Sequence, residues 1–121
     1  MAEVITLSHY VKDAQRARGG SKRGGRPVYF ERAELQALMA LYSEQVMAGA
    51  WRDYALDHLV GMAAFSIYRR AQERPVYTLA KRQIGPGSYE YVLFEEGRRR
   101  RKAGDLGRLI AWLRTPLTVV G

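Results

Sequence analysis

The hydrophobic period changes twice along this chain, and that change limits the fold more than any motif does. Between Glu31 and Met47, Leu35, Leu38, Met39, Tyr42 and Val46 recur at i, i+3, i+4, i+7 and i+11, the apolar stripe of a helix. Glu31 and Glu34 place negative charge in its first turn, and Gly49 offers the left-handed residue that ends it. After Trp51 the pattern alternates. Tyr54–Val60, Ala63–Arg70, Val76–Arg82 and Tyr89–Glu95 read as strands, separated by Gly61, by a polar break before Pro75, and by Gly85-Pro86-Gly87. Glu95-Glu96-Gly97 reads as a hairpin turn leading into Arg98–Lys102, a possible fifth strand. A helical period returns at Leu106, Leu109, Ile110 and Leu113, with Asp105 as N-cap and Pro116 as the stop.

Strands in one block with a helix at either end predict an α+β fold: helix, antiparallel four- to five-stranded meander, helix. Residues 28–121 are expected to form this single domain. Residues 1–27 are expected to be a flexible basic tail, because Gly19-Gly20-Ser21-Lys22-Arg23-Gly24-Gly25-Arg26-Pro27 cannot hold regular structure cheaply. Val4, Leu7, Val11 and Ala14 fall at helical spacing within that tail, so the other reading there is a short amphipathic helix that docks on a partner. Two helices cover one sheet face. Since Phe65 and Ile67 alternate with Tyr68, and Val92 and Phe94 with Tyr89, Tyr91 and Leu93, the second face is expected to expose tyrosines. It would serve as a partner surface or a homodimer interface.

Composition narrows the function classes. There are no cysteines, which removes disulfide frameworks, thiolate zinc sites and cysteine nucleophiles, and fits a reducing cytoplasm. No apolar run approaches the roughly 20 residues that cross a bilayer, and the start of the chain lacks the pattern of a signal peptide. No serine elbow, zinc spacing, phosphate loop or dinucleotide fingerprint occurs. The nearest approach to a catalytic group is Trp51-Arg52-Asp53-Tyr54 with Asp57 and His58. Neighbours on a strand face opposite ways, so Asp57 is not expected to orient His58, and Arg52 and Asp53 are expected to pair or cap. Neither an enzyme nor a cofactor is expected.

Charge gives the positive lead. The net charge is +8, from 20 Lys and Arg against 12 Asp and Glu. It is carried by the tail, including Lys22, Arg23 and Arg26, and by the unbroken run Arg98, Arg99, Arg100, Arg101 and Lys102, while the rest of the chain is near neutral. Adjacent cations repel, and a sheet edge seldom needs five of them to resist aggregation. Phosphates explain them better, since arginine forks fit phosphate oxygens and each contact releases counterions. Tyr68, Arg70, Tyr77, Lys81, Tyr89 and Tyr91 are candidates for a shared sheet surface on which unpaired bases could stack, although tyrosine also suits strands for its own sake.

Three stretches are more specific than composition. Phe30-Glu31-Arg32-Ala33-Glu34-Leu35, the block Val46 to Asp57 containing Gly49-Ala50-Trp51-Arg52-Asp53-Tyr54, and Phe65 to Arg70 with Glu73-Arg74-Pro75-Val76-Tyr77 resemble the small bacterial family catalogued as domain of unknown function 2794. The resemblance spans roughly residues 28–115 and leaves out the tail. The Arg98–Lys102 run departs from it, the family pattern there being a more apolar strand ending in a basic-glycine turn. It implies a compact stand-alone domain and supplies no catalytic residues. The expectation is a cytoplasmic, non-enzymatic module binding RNA or DNA through tail and arginine run. The alternatives are an adaptor seated on an acidic protein surface and, more weakly, attachment to anionic lipid.

Overall fold

The computed structural model describes residues 26–70 and 74–114. Helix α1 (Arg32–Met47) is followed by strands β1 (Asp53–Leu59), β2 (Met62–Tyr68), β3 (Tyr77–Gly85), β4 (Ser88–Glu95) and β5 (Arg98–Ala103), then by helix α2 (Leu106–Arg114). The strands form one antiparallel sheet in sequence order, β1 to β5. The α+β meander is therefore as expected, with Arg98–Lys102 supplying a fifth strand. The predicted tail lies outside the described residues except for Arg26 and Pro27.

Local chemistry sets the joints. The Asp105 carboxylate accepts the Arg108 N–H at 3.0 Å and caps α2. Gly49 ends α1 at φ +80°. At the β4–β5 hairpin both Glu96 (φ 51°) and Gly97 (φ 86°) are left-handed, the turn whose twist matches the strands it joins.

Both helices pack on the same sheet face. Leu38 and Leu41 of α1 and Leu106, Leu109, Ile110 and Leu113 of α2 share one core with Phe65, Ile67, Leu79 and Leu93. Full burial of each large apolar side chain is worth about 1.5–3 kcal/mol. The predicted α1 stripe packs on this core at Leu35, Leu38, Met39 and Tyr42 and departs from it at Val46, while Leu41, outside the stripe, joins it. Leu41 is fully buried, Leu35, Met39 and Tyr42 are half-buried, and Val46 is 39% exposed. The inward line is Glu34, Leu38, Leu41 and Gln45, so a carboxylate occupies the place where periodicity alone sought an apolar group.

The register assigns the tyrosines. Tyr77, Lys81 and Tyr91 stand on the helix-covered face with Ile67, Leu79 and Leu93, whereas Tyr68 stands on the other. The second face carries Met62, Ala64, Ala80, Val92 and Phe94, with Leu59 packed alongside. It does not carry the row of exposed tyrosines expected from sequence, because two-residue alternation places Tyr89 and Tyr91 opposite Val92 and Phe94.

The Gly-Ala-Trp-Arg-Asp-Tyr block is structural. Trp51 is buried between Tyr42 and Tyr77, at ring-centroid distances of 6.4 and 6.2 Å, and Tyr54 stacks on Phe65 at 5.3 Å. The Arg52 N–H donates to the Tyr68 carbonyl at 2.8 Å and brings β1 into register.

Candidate functional site

β5 lies at one edge of the sheet, so its outer backbone groups pair with no strand among the described residues. Arg98, Arg99, Arg100, Arg101 and Lys102 are all exposed along it. Strict alternation would send three of them to one face and two to the other. A bulge intervenes: Phe94 pairs with Arg99 and Leu93 with Arg101, which leaves Arg100 as the extra residue. Arg100 and Arg101 consequently reach the same indole, their guanidinium carbons 5.7 and 4.7 Å from the centre of the half-buried Trp112 ring. Cations over an indole face gain roughly 0.5–1 kcal/mol at exposed sites. Arg100, Arg101, Lys102 and Trp112 line an open cleft of about 430 Å³.

Neutralisation along the strand is incomplete. Arg100 pairs with Glu95 at 2.8 Å, and Lys102 lies 3.6 Å from Glu90, which also holds Arg82 at 2.7 Å. Arg98, Arg99 and Arg101 have no carboxylate partner among the described residues. Arg98 and Arg101 stand on the helix side, Arg99 and Lys102 on the other. The edge can therefore meet an anion from either face. Trp112 is the residue that sequence reasoning missed. It lies one helical turn beyond Arg108 on α2, and only the bulge brings the arginines to it.

The tyrosine and lysine candidates do not join this edge. Lys81 and Tyr91 are buried under α1. The Lys81 ammonium donates to Glu34 Oε1 at 2.8 Å and to the Tyr29 carbonyl at 2.9 Å. The Tyr91 hydroxyl donates to the other Glu34 oxygen, and the Glu31 N–H donates to Oε1 at 2.7 Å. Burial pushes the Glu34 carboxyl up, but the hydrogen bonds from Lys81, Tyr91 and the Glu31 backbone, with the lysine charge, outweigh it and hold the group below its ordinary range. Burial first, then the bond to Glu34, pushes the Tyr91 phenol well above its own. These groups form a satisfied polar lock between α1 and the sheet. Tyr89 remains at the rim with Lys81 4.6 Å from its ring centre, Tyr77 is half-buried against Trp51, and Arg70 is exposed beyond β2. No single stacking platform unites them. Arg26 is exposed, and Lys22 and Arg23 lie outside the described residues.

The catalytic cluster is also taken apart. Asp57 and His58 face opposite sides of β1, and His58 packs on Tyr29 with ring centres 4.6 Å apart. Asp53 accepts its neighbour's N–H, from Tyr54 at 2.8 Å, and the ion pairs among the described residues do not include Arg52 with Asp53.

Residues 28–109 match the model of a family described as a protein of unknown function, DUF2794. The chain belongs to this family. No curated protein and no solved structure matches it. The match begins at Val28, the first core residue among those described, and covers the whole described sheet, so the β5 edge belongs to the DUF2794 domain while residues 1–27 stand outside the match. Among the described residues, no helix is long and apolar enough to cross a membrane.

Proposed function

We propose that this DUF2794 protein is a small non-enzymatic module that binds nucleic acid through phosphate contacts along β5. The observation that carries this reading is a strand of five exposed cations, three of them without a carboxylate partner among the described residues. Gathering them costs repulsion that an isolated core does not repay, and a polyphosphate removes that cost while releasing its own counterions. Arg98 and Arg99 are the foremost phosphate ligands, pointing to opposite sides of the edge. Arg100 and Arg101, spread on Trp112, present guanidinium edges around the cleft. Such binding is largely indifferent to base sequence, since phosphate contacts position without specifying. The tail cations Lys22, Arg23 and Arg26 add to the same electrostatic attraction. A cytoplasmic setting suits a chain without cysteine.

A second reading has its own support. An unpaired outer edge on β5 can accept an extended acidic segment of another protein by strand addition, with the arginines facing its carboxylates. Titration of the full chain against labelled single-stranded and duplex oligonucleotides of unrelated sequence, and against polyglutamate, separates the two. Comparable affinity for unrelated oligonucleotides with weak polyglutamate binding supports the first reading. Tight polyglutamate binding with little oligonucleotide affinity would replace it with the second.

A further inference from the structure

The two ends of the sheet differ in charge. At one end, residues 60–61, 86–87 and 104, which join or follow the strands, include no charged side chain. At the other, β2 runs out into Arg69 and Arg70, Arg74 leads towards β3, Arg52 precedes β1, and β5 starts at Arg98. The carboxylates at that end, among the described residues, are Asp53, Glu95 and Glu96.

Main-chain bonds gather this end. The Val76 N–H donates to the Ile67 carbonyl at 2.8 Å, and the Glu96 N–H donates to the Val76 carbonyl at 2.9 Å. Val76 is thereby held between the exit of β2 and the β4–β5 turn. Around it Arg69, Arg74 and Glu96 line an open cleft of about 290 Å³. Both arginines are exposed, and neither forms an ion pair with Glu96 or with any other carboxylate among the described residues. Each guanidinium brings a fork of N–H donors suited to phosphate oxygens. The cleft adjoins the β5 edge. Tyr77, Glu95 and Arg98 form one row across β3, β4 and β5. Burial first, then Glu95, raises the Tyr77 phenol, and the charges of Arg69 and Arg100 act against that rise, one from the β2 end and one from β5. From β5 to β2 is three strand spacings, roughly 14 Å, or about four phosphates of a stacked strand.

We propose that the ligand is a single-stranded nucleic acid whose phosphates follow β5 to Arg98 and then turn across the sheet end to Arg69 and Arg74. This rests on the phosphate reading of β5 and narrows it. The corner decides between single strand and duplex. The β5 cations are spaced along the strand, whereas the row from Arg98 to Arg69 crosses the strands, close to a right angle. Duplex DNA has a persistence length of about 500 Å and resists turning within the width of one sheet. A duplex laid on β5 leaves Arg69 and Arg74 uncontacted, while a single strand bends at its backbone to reach them.

The salt dependence of binding tests this on the full chain, with single-stranded RNA and duplex DNA as probes. In the Arg69→Gln, Arg74→Gln variant the slope of log K against log salt is expected to flatten by about 1.4 on the single strand, two contacts at about 0.7 each, and to hold on the duplex. Tm is expected to hold, because both side chains are exposed. Glu96→Gln removes the one carboxylate in the cleft and is expected to tighten single-strand binding about twofold, the scale of one screened surface charge. An unchanged single-strand slope in the folded double variant, beside a flattened one in Arg98→Gln, Arg99→Gln, Arg101→Gln, would overturn this path and leave the β5 reading standing. A response to the double variant but none to the β5 variant would overturn the β5 reading and the joined path with it. Equal flattening on duplex and single strand would overturn the turning path, since a stiff ligand would then reach both sites.

Discussion

Glu34→Gln isolates the polar lock, because it keeps the shape of the side chain and removes its charge. Lys81 has a side chain only 4% exposed and relies on Glu34 and the Tyr29 carbonyl, while Glu34 is 15% exposed. Breaking a buried ion pair from one side costs about 3–5 kcal/mol, since the remaining charge is stranded. The Gln carbonyl still accepts one hydrogen bond from Lys81, which places the expected loss near 3 kcal/mol, the low end of that range. At about 4 °C per kcal/mol for a chain of this size, Tm falls by about 12 °C. Urea denaturation followed by circular dichroism measures it. Replacing the whole lock with Glu34→Leu, Lys81→Met and Tyr91→Phe leaves no stranded charge and should recover most of the loss. The wild-type protein should also show the pair in its pH dependence. The folded carboxyl of Glu34 is depressed below its ordinary 4.5, so its stabilisation is complete above that value and is lost as pH falls through the lower folded one. A Glu34→Gln variant within about 0.5 kcal/mol of wild type, or a triple variant as weak as the single, would refute the reasoning.

Other consequences can be checked with the same denaturation assay and, for Trp112, by oligonucleotide titration. Leu38→Ala and Leu41→Ala should each cost about 2–5 kcal/mol, whereas Val46→Ala, at a 39% exposed site, should stay within about 0.5 kcal/mol. Gly97→Ala puts a Cβ on a residue at φ 86° and should destabilise by about 1–2 kcal/mol. Trp112→Ala should weaken oligonucleotide binding severalfold through Arg100 and Arg101, which lose the surface that orders them. An affinity equal to wild type would show that the indole has no part in the interface.

Much of the fold was legible because period and turn chemistry agree. Alternation from Tyr54 to Glu95, glycines at the turns and Asp105 before α2 each specify one local answer. The α1 face was read correctly at Leu35, Leu38, Met39 and Tyr42, but the inward place of Glu34 was not, because a sequence window scores a carboxylate as outward whether or not Lys81 waits on the sheet beneath it. The tyrosine platform failed for a related reason. Alternation shows that Tyr68 and Ile67 face opposite ways, but which set the helices cover depends on pairing between distant strands. Of the candidate site, the cations and their exposure could be read directly. Their convergence on Trp112 could not, since it depends on a bulge at Arg100, opposite Leu93 and Phe94.

The central claim is that β5 holds phosphates, and its most direct measurement is the salt dependence of binding. Log K for duplex DNA and for single-stranded RNA is determined against log salt concentration for wild type and for the Arg98→Gln, Arg99→Gln, Arg101→Gln variant. If these three cations neutralise phosphates, the slope should flatten by about 0.9 per lost contact on the duplex and about 0.7 on the single strand. Affinity should fall alike for unrelated sequences, and Tm should hold because the side chains are exposed. Unchanged slopes in a folded triple variant would contradict the account, and the phosphates would have to be held elsewhere on the chain or not at all.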